Sequence, residues 1–202
     1  MLVAERKAQL RRTERRRLRL GGHQKTLAGK SVAAQERFLA AFPPEPGSRV
    51  ALYVAVAGEV GTERIRERYL AAGARLFYPK VMDDGNLSFY PDGGEDGWVR
   101  GKYGLLEPRV PAGVAGLKGG FGLVVVPGMA FDAMGRRLGR GCGYYDRFLF
   151  GMAGTAVTVG LAFSLQLLPE VPVDDWDIPV DAVVTEEGVI RVPRERQDGH
   201  FK

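Results

Sequence analysis

A β-branched strand, Leu123-Val-Val-Val126, runs straight into Val126-Pro-Gly-Met-Ala-Phe-Asp-Ala-Met-Gly-Arg-Arg-Leu-Gly-Arg-Gly-Cys-Gly-Tyr-Tyr-Asp146. This run sets Gly139, Gly141 and Gly143 at alternate positions among Arg136, Arg137 and Arg140. Alternating glycines fit neither a helix interior nor a regular strand, so the chain must turn there and can approach a ligand closely. Arginine forks suit phosphate oxygens. Strand, glycine turn and helix start together form the usual layout for an anion held by backbone N–H groups. The Gly-x-Gly-x-Gly spacing is neither a dinucleotide fingerprint nor a Walker A motif. A structural turn carrying solvated arginines remains open beside a polyphosphate site.

The strands bound the fold. Arg49 to Val56, 122–126 and 156–162 are near-continuous apolar runs, which suits strands buried on both faces. Between them the pattern predicts helices over 28–41, 62–72 (Thr62 as cap, Gly73 past the end) and 143–150. Short strands are expected at 76–79 and 87–90, joined by a turn over 83–86. Glycine- and proline-rich loops dominate 91–120, and 181–191 reads as strand, turn, strand. Alternating strands and helices point to an α/β fold: one three-layer α/β/α domain over 1–193 with a mainly parallel, mixed central sheet, Rossmann-like, and a frayed tail over 194–202.

Residues 3–19 form an expected basic helix, stopped by Gly21-Gly22. Eight basic residues against two acidic ones give the first 20 residues a charge of +6 within a chain total of +5. The rest therefore sums to −1, and the basic character belongs to that helix and not to the fold. An RNA-touching or solvated arginine face is one reading. The other sends Lys7 and Arg11, four apart on one face, back to a bound triphosphate. No apolar run approaches the ~20 residues that span a bilayer, no export signal is evident, and a single cysteine, Cys142, forms no internal disulfide. A cytoplasmic protein without membrane partners is expected.

Other residues divide between chemistry and plain structure. Asp146 is a helix-start carboxylate or a Mg²⁺ ligand, and Asp181, opening a later strand, is its candidate partner. Glu59 follows an expected strand, where a carboxylate is well placed to meet a ligand, though a surface role is equally open. His23 and His200 receive no catalytic role. Cys142 reads as structural, and Trp98 and Trp176 as packing or cleft residues.

Assembled, these residues resemble the 5-formyltetrahydrofolate cyclo-ligase family, also called methenyltetrahydrofolate synthetases. The match rests on Lys7-x-x-x-Arg11, Tyr53-Val54 with Glu59-x-x-Thr62, Tyr78-Pro79-Lys80, and Gly104-x-x-Glu107-Pro108. It is strongest in Val126-Pro-Gly-x-Ala-Phe-Asp132, Gly135-x-Arg137-Leu-Gly and Gly141-x-Gly143-Tyr-Tyr-Asp146-Arg, with Pro179-x-Asp181 and Thr185-Glu186 following, and it covers roughly 4–190. The resemblance implies an ATP- and Mg²⁺-dependent enzyme that cyclises 5-formyltetrahydrofolate to 5,10-methenyltetrahydrofolate. It assigns Lys7, Arg11, Arg137, Leu138, Gly139, Arg140, Gly141, Cys142, Gly143, Tyr144 and Tyr145 to ATP. Val54, Glu59 and Arg140 to Tyr144 go to the folate, and Asp146 and Asp181 to Mg²⁺. Arg140, Tyr144 and Lys80 are the implied catalytic groups, with Arg147 assisting. Family members often carry Gly or Lys where this chain has Cys142; a lysine's charge would then come from Arg140 or Arg136. A monomer acting on small molecules, with no nucleic acid, is expected. The alternatives are an RNA-binding accessory protein working through the basic helix, and a same-fold enzyme on a related substrate.

Overall fold

The computed structural model describes residues 2–20, 24–94, 96–101, 104–110, 113–152 and 154–193. The Gly21-Gly22 stop, His23 and the tail from 194, with His200, lie outside them. The sheet is built from β1 (Arg49–Ala51), β2 (Arg75–Val81), β3 (Leu87–Pro91), β6 (Leu123–Val126), β9 (Val157–Leu161), β10 (Ala182–Val184) and β11 (Val189–Arg191), in the order β11-β10-β9-β6-β1-β2-β3. The five inner strands are parallel, and β3 and β11 are antiparallel edges. The mixed α/β architecture expected from the sequence is what forms.

Period-two alternation sends each strand's apolar side chains to both faces. Val50, Leu52, Leu76, Tyr78, Val125, Ala182 and Val184 pack on Ala34 and Phe38 of α2 (Gln24–Ala41) and Ile65 and Tyr69 of α3 (Glu63–Ala71). Ala51, Phe77, Val124, Val126 and Val183 pack on Phe148 and Leu149 of α4 (Tyr144–Phe150). Helices thus cover both faces of the sheet. The sheet's second face is completed by Phe131, in the hairpin of β7 (Ala130–Phe131) and β8 (Arg137–Leu138). Its ring lies where a Cβ on Gly160 would sit, 2.4 Å away, so β9 needs glycine at that position.

Three elements differ from the sequence expectation. β1 stops at Ala51 instead of running to Val56. The Leu52 amide makes the last bond to β2, donating to the Phe77 carbonyl (2.9 Å). Tyr53 stays buried but leaves the ladder; its hydroxyl donates to the Val60 carbonyl (2.7 Å), and the Thr62 hydroxyl donates to the Tyr53 carbonyl (2.9 Å). Beyond Leu52 the run is apolar because it lines a cleft and core, not because it pairs. The β7–β8 hairpin was hidden inside the glycine-arginine run. Its turn is tied by Asp132, whose Oδ1 accepts from the Met134 and Arg136 amides and whose Oδ2 accepts from the Val171 amide. Within the expected loops of 91–120, β4 (Trp98–Arg100) and β5 (Leu106–Pro108) form a two-stranded ribbon.

Strand order reverses direction between β1 and β6: β2 lies to one side, β9 and β10 to the other. In open α/β sheets the loops leaving such a pair diverge and open a crevice beyond the strands' carboxyl ends. The loop after β1 carries Tyr53 to Glu59. The chain after β6 carries the hairpin and then the glycine loop.

Candidate active site

The crevice is a cleft of about 1930 Å³. Ligand pockets commonly enclose ~300–1,000 Å³, so this one has room for two ligands side by side. Its lining includes Val54 and Glu59 from the loop after β1, Arg137 to Arg147 from the glycine loop and α4, and Lys7, Arg11 and Arg15 from α1 (Val3–Leu20). Residues 130 positions apart in sequence therefore share one wall.

The glycine loop is built for close approach. Gly141 and Gly143 adopt φ of +114° and +65°, a region that favours glycine, and Gly143 caps α4 in that conformation. Arg11 lies against Gly141 and donates from Nε to the Gly139 carbonyl at 3.0 Å. Arg147 reaches back from α4 to the Cys142 carbonyl (3.2 Å) and across to the Gly85 carbonyl (2.5 Å). It also sits 5.5 Å from the Tyr144 ring centre. The loop is therefore held at both ends by guanidinium groups. Cys142 is exposed within it.

Beneath the loop, Arg137 is buried and donates from Nη2 to Asp146 Oδ1 at 2.7 Å. Its guanidinium lies 5.7 Å from the Tyr145 ring centre. Burial pushes the Tyr145 hydroxyl's pKa well up, with Glu59 adding to the rise and Arg137 opposing it. That hydroxyl has no hydrogen-bond partner among the described residues. From the loop after β1, Glu59 Oε1 accepts from Arg140 at 2.9 and 3.1 Å, and Oε2 accepts from the Val56 amide at 3.1 Å. Burial raises the Glu59 carboxyl's pKa against the pull of Arg140.

Most of the residues singled out from the sequence meet here: Lys7, Arg11, Val54, Glu59, Arg137 to Tyr145, and Asp146. Two do not. Asp181 opens β10 at the amino-terminal edge of the sheet, pairing across to Thr158 near the start of β9. Its Oδ2 accepts from the Thr158 amide (2.8 Å) and hydroxyl (2.9 Å). The cleft lies at the strands' carboxyl ends, so Asp181 is a strand-register staple on the far side and does not join Asp146. Lys80 sits on β2 between Pro79 and Val81, which line the cleft; alternation turns it away. Arg136 also stays out, pairing with Asp132 and Glu170. Glu186, from the late motif, fixes Ser164 and Lys30.

The cleft also holds residues that sequence reasoning missed. Asp174 and Asp177 line it and grip the buried Lys7 ammonium, Asp174 at 2.6 Å. The signal was present in Val173-Asp-Asp-Trp-Asp177, an acidic loop able to answer a basic helix. The exposed Trp176 lines the cleft, one of the two roles its sequence suggested, and so does Glu107 of the Gly104-x-x-Glu107-Pro108 motif. Among the described residues no group of three or more His, Cys, Asp or Glu is placed to hold a metal. Mg²⁺ needs only one or two protein carboxylates when phosphate oxygens and water complete its shell. Asp146, in the cleft and anchored through one oxygen, fits that single-carboxylate demand.

Comparison with known proteins agrees with this geometry. The model of the 5-formyltetrahydrofolate cyclo-ligase family matches residues 3–186. The 5-formyltetrahydrofolate cyclo-ligase of Escherichia coli K12 is 33% identical over 139 residues, covering 67% of this chain and 76% of that protein. The mouse protein of the same name is 28% identical over 174 residues, covering 78% and 83%. The solution structure of Aquifex aeolicus 5,10-methenyltetrahydrofolate synthetase superposes with a TM-score of 0.80 at 31% identity, covering 96% of this chain and 97% of that one. A Mycoplasma pneumoniae 5,10-methenyltetrahydrofolate synthetase shares the fold at TM-score 0.70 and 23% identity, covering 90% and 99%. With a family model spanning nearly its whole length, this chain belongs to the 5-formyltetrahydrofolate cyclo-ligase family of ligases.

Proposed function

We propose that this enzyme converts 5-formyltetrahydrofolate and ATP to 5,10-methenyltetrahydrofolate, ADP and phosphate, with both substrates in the one cleft. The observation that carries the reading is the glycine loop's position. Arg11 bonds to its Gly139 carbonyl and Glu59 to its Arg140 side chain, and Lys7 and Val54 line the same cleft, so one backbone segment can floor two ligands.

The chemistry needs that proximity. The carbonyl oxygen of an N-formyl group leaves poorly. Transfer of the γ-phosphoryl group to that oxygen, with ADP departing, turns it into a good leaving group. Nitrogen 10 of the folate then attacks the formyl carbon and gives up its proton, and the oxygen departs as phosphate, closing the ring. Phosphoryl transfer depends mainly on positioning and charge neutralisation. In this reading Lys7, Arg11 and Arg140 neutralise phosphate charge, and Gly139 to Gly143 offer backbone N–H groups. Arg137 fixes Asp146, which would hold Mg²⁺; bound there, the ion supplies charge compensation for the phosphates. Glu59 and Val54 orient the folate, and Tyr144 and Tyr145 shield the reacting centre from water. Lys7 arrives already paired with Asp174 and Asp177, so phosphate competes with two carboxylates for it.

The test is growth of methenyl absorbance from 5-formyltetrahydrofolate with Mg-ATP. Product appears only when ATP is present; no product from fresh substrate refutes the reading.

Among its described side chains the basic helix keeps Arg6, Arg12, Arg16 and Arg17 exposed and outside the cleft lining, the feature behind the RNA-binding alternative. Its inward face is committed to the cleft, which favours the enzymatic role.

A further inference from the structure

Glu107 is a buried carboxylate that the reaction as described does not use. It is 4% exposed, lines the cleft, and its Oε1 has no hydrogen-bond partner among the described residues. A buried acceptor left unpaired is costly, and its position in the cleft wall points to a ligand as the missing donor. The ribbon that presents it is fixed: Glu107 pairs with Val99, and Trp98 packs edge-on to Tyr78 of β2 with ring centres 4.8 Å apart. Gly101 makes room for the carboxylate, because a Cβ there would lie 2.0 Å from Oε2.

The surroundings say which donor fits. Pro79, Val81, Leu87, Leu105 and Leu106 also line the cleft, and both Leu105 and Leu106 are otherwise exposed apolar side chains. A carboxylate among apolar walls repels phosphate and the acidic tail of a folate. An adenine amine sits beside a ring-nitrogen acceptor whose lone pair the carboxylate repels. A ribose diol could pair, but it is polar throughout and would leave the leucines uncovered. A pterin has two flat faces for apolar walls and one edge where a ring N–H and an exocyclic amine lie side by side, two donors and no acceptor to present to the unpaired Oε1. We infer that Glu107 is the specificity-determining acceptor for the amino-pyrimidinone edge of the folate's pterin ring. This rests on the folate reading above.

The experiment compares the full-length enzyme with Glu107→Ala, Glu107→Gln and Gly101→Ala, measuring KM for each substrate separately. Loss of charge-assisted bonds should raise the KM for 5-formyltetrahydrofolate by about tenfold to a hundredfold in Glu107→Ala, with the KM for ATP unmoved. Glu107→Gln, which keeps the shape and one acceptor, should fall between, and Gly101→Ala should shift the same constant by displacing the carboxylate. A tetrahydrofolate analogue lacking the exocyclic amine separates recognition from structure. It should bind the wild type more weakly than its parent, and bind Glu107→Ala as well as its parent does. A raised KM for ATP, unchanged constants, or a variant that still discriminates the analogue overturns the inference. If Glu107→Ala fails to fold, Glu107→Gln with the analogue decides the matter alone. A wild type that makes no methenyl product defeats the reaction reading instead; direct calorimetric titration of tetrahydrofolate and the analogue then still tests Glu107.

Discussion

At the scale of single residues, charge placement governs the site. Arg137 and Asp146 are both largely buried, and breaking such a pair by removing one partner typically costs about 3–5 kcal/mol. Arg137→Met should lose stability of that order in denaturant titration, whereas Arg136→Met, on a half-exposed side chain, should lose far less. Glu59 adds a pH signature. Its folded-state pKa is raised from 4.5, chiefly by burial, so the native state binds this proton more tightly than the unfolded chain. That contribution to stability falls as pH rises above the unfolded value and levels off beyond the folded one. Glu59→Gln should therefore raise the melting temperature at pH 7 relative to wild type by more than at pH 4, while weakening folate binding. Asp181 supplies the contrast. Asp181→Asn should cost stability through its bonds to Thr158 and leave the Mg²⁺ dependence unchanged, whereas Asp146→Asn should alter that dependence in the folded fraction and also lower stability, because it leaves Arg137 with a neutral partner.

At the scale of elements, α1 is unusual because, among its described side chains, the buried ones are charged: Lys7 and Glu14 are both buried, and Leu10 packs partly buried on Met129, Ala130, Leu138 and Val171. A helix docked by ion pairs over a cleft serves the ligand more than the core. Lys7→Ala should raise the KM for ATP by about tenfold and leave that for folate unmoved; salt-dependent RNA affinity lost in place of ATP use would favour the rival reading. The β7–β8 hairpin is purely structural at its tip. Gly135 has φ +74°, and a Cβ there would lie 2.2 Å from the Val180 carbonyl oxygen, so Gly135→Ala should destabilise by more than about 1 kcal/mol, read by thermal melting, without changing substrate KM in the folded fraction. These elements also show what the sequence conceals. β6, β9 and α4 were legible because apolar runs and glycine punctuation act locally. The hairpin was not, since its strands are two residues each, too short to show a period of two, and Asp132 anchors it to Val171, thirty-nine residues on. The early end of β1 was not either, because burial in a cleft wall and burial in a ladder demand the same apolar residues.

At the scale of the whole molecule, the sheet order is the decisive fact. Periodicity predicted a mainly parallel sheet but could not say which strands are neighbours. Only the β1–β6 reversal explains why Glu59 and Arg140, 81 residues apart, share a hydrogen bond. The same topology explains the failures. Asp181 and Asp146 look equivalent along the chain, yet they lie at opposite ends of their strands' sheet. Lys80 and Pro79 are adjacent, yet they face opposite ways. Asp174 and Asp177 were overlooked because their role is set by Lys7, some 170 residues distant. Among the described residues no helix is long and apolar enough to cross a membrane.

Two ligands held over one glycine loop must turn over as a coupled pair. The decisive measurement follows ADP release and methenyl absorbance together, in one reaction containing 5-formyltetrahydrofolate and Mg-ATP. The expected result is one ADP for each methenyl product, with neither forming when the other substrate is withheld. Methenyl product without ATP, or ADP released steadily without folate, would contradict it.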